Sequence, residues 1–87
     1  MLFLIHFEID PENRDKSHAR LKTQGDGMPQ EIKPLGTWFS VTLLEGWAIV
    51  ETEDETALGQ SMKQWTDLNI NHITPVLTEE ALLKVIT

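Results

Sequence analysis

The residues able to do chemistry are few and scattered: three histidines, His6, His18 and His72, one arginine in an unusual helix, Arg14, a carboxylate closing an apolar strand, Glu51, and three tryptophans, Trp38, Trp47 and Trp65. Arg14 and His18 fall on one stripe of a 3.6-residue wheel with Leu21 and Gly25. Facing a sheet, that stripe would aim a guanidinium and an imidazole into a helix–sheet cleft, a setting suited to a small carboxylate or phosphate ligand. The plainer reading leaves both at the helix edge, reaching solvent, and it is the favoured one. Buried at its strand end, Glu51 would serve as a general acid or base; at the rim it is simply solvated or paired. Tryptophan serves cores and aromatic pockets alike. Trp65, on an amphipathic helix, reads as core. Trp38 and Trp47 flank one hairpin at opposite parities, so at most one of them is expected to line a given pocket, and Trp38 is kept as a ligand-binding candidate. His6 and His72 belong to strands expected to be antiparallel neighbours. Pairing the midpoints, Ile5 with Ile73, sets the two imidazoles opposite each other on one face. With Glu8 or Glu51 as a third group they could hold a divalent metal. A metal-free pair is the favoured reading, and no cofactor is expected.

These groups need a scaffold, and the hydropathy pattern supplies one. Residues 1–9 (MLFLIHFEI) read as a strand, with Phe3, Ile5, Phe7 and Ile9 on one face. Asp10-Pro11-Glu12 starts a helix as N-cap, first helical position and first turn, and Gly25-Asp26-Gly27 ends it after Gln24. Pro34–Thr42 and Gly46–Thr52 form a hairpin around Leu43–Gly46. Thr52-Glu53-Asp54-Glu55 caps a helix reaching Trp65. Asn69–Leu77 is a fourth strand, placed at a sheet edge by Pro75. Thr78-Glu79-Glu80 starts a last short helix. The order β-α-β-β-α-β-α is α+β, and the simplest packing is a ferredoxin-like plait with an extra C-terminal helix, one domain over residues 1–87.

Two helices cover only one face of such a sheet, yet neither parity leaves the other face polar. Strand one exposes either Leu2 and Leu4 or Phe3, Ile5 and Phe7; strand three exposes Trp47 and Ile49 or Ala48 and Val50. A homodimer joined face to face is therefore expected. The alternative is that the last helix folds over the open face.

The residues His6-Phe7, Arg20-Leu21, Gly25, Pro29, Leu35-x-x-Trp38, Ile49-Val50-Glu51-x-x-Asp54, Trp65-x-Asp67-Leu68 and Thr74-Pro75-Val76 occur in an order similar to that of a family of small bacterial proteins known only as a domain of unknown function. The resemblance covers nearly the whole chain. It implies membership of the dimeric α/β-barrel superfamily, a ferredoxin-like fold and a face-to-face homodimer, and it brings no established reaction. Leu21 and Asn71 stand where the family pattern has larger apolar residues.

Composition narrows the functions. Seven Lys and Arg against fourteen Asp and Glu give a net charge of −7, which argues against nucleic-acid partners and anionic membrane surfaces. Cysteine is absent, so thiolate nucleophiles, disulfides and Cys-ligated metals are excluded. No phosphate loop, nucleophile elbow or zinc-helix signature occurs. The longest apolar run, Met1–Ile5, is far short of a spanning helix, and a cytoplasmic location is expected. The favoured reading is a homodimeric module that binds a small ligand or a partner without catalysis, using residues from the set His6, Arg14, His18, Trp38, Glu51 and His72. The alternative is a cofactor-free enzyme, monooxygenase- or isomerase-like, acting on a small aromatic or acidic metabolite in the helix–sheet cleft. A haem binder, using one of the three histidines as axial ligand, is a third.

Overall fold

The computed structural model describes residues 1–87. Four antiparallel strands, β1 (Leu2–Ile9), β2 (Lys33–Phe39), β3 (Glu45–Glu51) and β4 (Asn69–Val76), form one sheet in the order β2-β3-β1-β4. Helices α1 (Arg14–Gln24) and α2 (Glu55–Lys63) follow β1 and β3, and α3 (Glu79–Val85) follows β4. The arrangement is a small α+β domain, consistent with a ferredoxin-like plait. Both edge strands carry a proline, Pro34 on β2 and Pro75 on β4, where a missing ladder donor costs least. One extra residue, Leu35, bulges β2 between Pro34 and Gly36. The hairpin strand stops at Phe39, short of the expected Thr42. Residues 40–44 make the turn instead, with Leu43 at φ 67°, where an L-residue is strained by about 1–2 kcal/mol.

The core lies on one side of the sheet. Phe3, Ile5, Ala48 and Val50 pack against Ala57 and Leu58 of α2, with Ile32 closing the end. Odd-numbered β1 residues therefore face the helices. The α2 start is built as its sequence predicts: Asp54 Oδ1 accepts from Ala57 N at 2.9 Å. The α1 start is not. Pro11–Asn13 forms a separate 3₁₀ turn, and the Asp10 side chain caps nothing. In the helix that follows, Ser17 is the buried residue and Arg14 turns outward.

Helix α1 (RDKSHARLKTQ) has almost no apolar side chain to bury. Polar bonds hold it in place. Ser17 Oγ donates to Asn69 Oδ1 at 3.0 Å, and Asn13 Nδ2 donates to the Leu68 carbonyl at 3.4 Å. Arg20 forks onto both Asp67 oxygens at 2.8 Å and donates to the Gln64 carbonyl at 2.6 Å. A helix docked by its polar edges spans the sheet without filling the space beneath it.

The opposite sheet face is uncovered. Leu2, Leu4, Trp47, Ile49 and Val76 lie on it half-buried, and Trp38 and Ile70 are 58% and 54% exposed. Helix α3 does not cover them: its own Leu82, Leu83 and Val85 are exposed too, as is Ile86 just after it. No helix is long and apolar enough to cross a membrane.

Candidate functional site

The space under α1 is a cavity of about 90 Å³. Ile5, Phe7, Ala48 and Val50 form its floor, His18 and Leu21 its α1 wall, and Met28, Met62 and Trp65 its far side. A volume of this size takes about six water-sized atoms, at roughly 15 Å³ each. Trp65 is fixed there by its indole N–H, which donates to the Asp26 carbonyl at 2.9 Å, and by the Arg20 guanidinium 5.5 Å from its ring centre. Arg20 is itself held by Asp67. Their hydrogen bond raises the Arg20 pKa and lowers that of Asp67, outweighing desolvation in both, with charge attraction adding to it.

Asn71 on β4 lines the same cavity, and its Oδ1 is buried without a hydrogen bond. Its Nδ2 donates to the Met62 sulfur at 3.4 Å, a partner that only the amide nitrogen can use, so the carbonyl oxygen is the atom left free. An unpaired buried acceptor costs roughly 1–3 kcal/mol. Leu21 and Asn71, where the resemblance leads to the expectation of larger apolar residues, both line the void.

On the open face the register sets four rings in a row across the whole sheet: Trp38 opposite Trp47, Trp47 opposite His6, His6 opposite His72. His6 stacks on Trp47 at 5.3 Å and 10°, and on His72 at 5.8 Å and 27°. The histidine pair expected from the sequence is thus present. The expectation that Trp38 and Trp47 diverge is corrected: directly paired residues of an antiparallel hairpin share a face whatever their numerical parity. Beside the rings, His6 Nε2 lies 2.9 Å from Glu45 Oε2, and His72 Nε2 lies 3.1 Å from Glu8 Oε2.

The six sequence candidates therefore divide. His18 lines the cavity. His6, Trp38 and His72 share the open face. Arg14 is excluded from the cleft, exposed and bonded to neighbouring Asp15 at 3.0 Å. Glu51 is exposed at its strand end, opposite Leu2 and Lys33, and is not a buried acid. Sequence reasoning missed Asn71 and Glu45 as site residues.

A four-stranded antiparallel sheet with helices packed on one face places the protein among small α+β domains. The family model for a domain of unknown function, DUF3303, matches residues 1–87, and the chain belongs to that family. No curated protein matches it.

Proposed function

We propose that two copies of this chain pair through their open sheet faces, as a dimeric α/β barrel, and that each binds a small, largely apolar molecule with a hydrogen-bond donor in the cavity beneath α1. The observation carrying the ligand reading is the buried, unpaired Oδ1 of Asn71 in an otherwise mainly apolar cavity. An alcohol, phenol, amide or indole N–H would satisfy that oxygen while filling the space around it. A carboxylate would not, because both partners would be acceptors, and Arg14 is not there to pair it. The chemistry is binding without turnover. The Ser17 hydroxyl that lines the cavity donates to Asn69 Oδ1 rather than to a base.

The pairing reading rests on the uncovered face. Four strands about 4.8 Å apart, two of seven residues and two of eight, offer roughly 500 Å² of flat area before side-chain relief is counted. A stable interface takes about 800 Å² of accessible surface per partner, which relief and the exposed apolar residues of α3 bring within reach. A second copy presents the same apolar rows and ring ladder, as an isologous contact requires.

The test is an NMR titration of the isotope-labelled protein with phenol, a hydrogen-bond donor close to the cavity in size. Shifts confined to the Asn71 side-chain amide, the Met62 methyl and the Trp65 indole support the reading. Shifts spread over the open face, or none at millimolar ligand, refute it.

A further inference from the structure

The geometry points to a divalent transition-metal site on the open face, built from His6, His72, Glu8 and Glu45. It is separate from the cavity but lies on the face through which the chains are proposed to pair, so in the paired protein each chain's site would be enclosed between the two sheets. Glu8 lies directly opposite Glu45 across the β1–β3 pair, and like charges so placed destabilise a sheet. Two strand positions away, in the neighbouring row of the same face, sit His6 and His72. Each imidazole leans along a diagonal to one carboxylate, at 2.9 Å and 3.1 Å. The result is a compact block of two nitrogen and two oxygen donors.

Ligand atoms of His6, Glu8 and Glu45 all lie within 4.8 Å of one another. Zinc bonds nitrogen at about 2.0–2.1 Å and carboxylate oxygen at about 2.0–2.2 Å, so ligands sharing one ion sit roughly 3.5 Å apart. Closing the cluster takes about 1 Å of movement, within reach of side chains 31–50% exposed that rotate without disturbing the backbone. His72 supplies the fourth donor, already beside Glu8. The ring ladder adds orientation: His6 is held between Trp47 and His72, which fixes its ring plane and leaves Nε2 on the carboxylate side. Two imidazoles with carboxylates suit zinc, iron(II), manganese or cobalt, whereas calcium and magnesium favour all-oxygen sites. A divalent charge also neutralises the two facing carboxylates. Glu51, the other carboxylate considered from sequence, lies at the far end of β3 and takes no part.

The experiment is a titration of tag-free protein with Co²⁺, read by its visible absorption and by quenching of Trp47 fluorescence, followed by competition with Zn²⁺. Saturation at one ion per chain with displacement of Co²⁺ by Zn²⁺ is expected. His6→Gln, His72→Gln and Glu45→Gln should each weaken binding tenfold or more, and Glu51→Gln should leave it unchanged. Each variant's melting temperature without metal shows that it still folds. All four positions are at least partly exposed, so at least the carboxylate variants should retain the parent fold. Absence of the visible band at millimolar Co²⁺ would overturn the proposal. So would a band of undiminished affinity in the His6→Gln/His72→Gln double variant.

Discussion

Trp65→Ala measures how far the cavity wall is structural. Fully burying a tryptophan removes about 200 Å² from water, and Trp65 is mostly covered, so roughly 130 Å² returns to solvent on truncation. At about 25 cal/mol per Å² that is about 3 kcal/mol. The lost hydrogen bond to the Asp26 carbonyl adds about 1 kcal/mol. Loss of the Arg20 contact adds about 0.5–1 kcal/mol at this partly exposed site. The expected loss is about 4.5–5 kcal/mol, at the upper end of the range of roughly 3–5 kcal/mol for deleting a large buried aromatic. In a domain of this size each kcal/mol moves the melting temperature by about 4–8 °C, so the variant should melt roughly 20–40 °C lower. Trp65→Phe keeps most of the area and the cation contact and should lose only about 1–2 kcal/mol. Urea unfolding followed by circular dichroism measures both. A Trp65→Ala protein within 1 kcal/mol of the parent would show that the indole serves the cavity's occupant rather than the fold.

The parent should sediment near twice its chain mass of 9.9 kDa at micromolar concentration, and Trp47→Lys should return it to the monomer; a monomeric parent defeats the pairing. Because each chain carries −7, added salt should tighten the dimer, and dissociation on raising salt would contradict an apolar interface. Asp67 has its pKa lowered by Arg20, so its contribution to stability is complete above the ordinary carboxylate value and is lost as pH falls through the lower folded value. The melting-temperature gap between parent and Asp67→Asn should therefore be widest near neutrality and close in acid, and a gap independent of pH would show that the ion pair is not its source. Asn71→Leu removes an unpaired buried acceptor and should leave stability unchanged or raise it by about 1 kcal/mol while abolishing phenol binding. A marked destabilisation would mean that the amide is already satisfied.

Much of the scaffold was legible because its signals are local. The alternation of Phe3, Ile5, Phe7 and Ile9 marks one apolar face of β1 without saying that it is the covered one, Pro75 places β4 at an edge, and pairing strand midpoints puts His6 opposite His72. The sites were less legible because they depend on phase and register. Helix α1 buries Ser17 and turns Arg14 outward, although Arg14 shares a wheel stripe with His18 and Leu21, which do line the cavity. The β2–β3 register, not numerical parity, brought Trp38 and Trp47 to one face, and the β1–β3 register brought Glu45 beside His6. Asn71 did leave a trace as an undersized polar residue on a strand. Reading it as a cavity wall required knowing that α1 offers nothing large above it.

A crystal structure of the protein grown in the presence of phenol tests the central claim most directly, since it reports the pairing and the cavity in one experiment. It should show two copies with their open sheet faces together, the ring ladders of both buried, and phenol under α1 with its hydroxyl donating to Asn71 Oδ1. Sheet faces left in solvent with a cavity holding no phenol would contradict it.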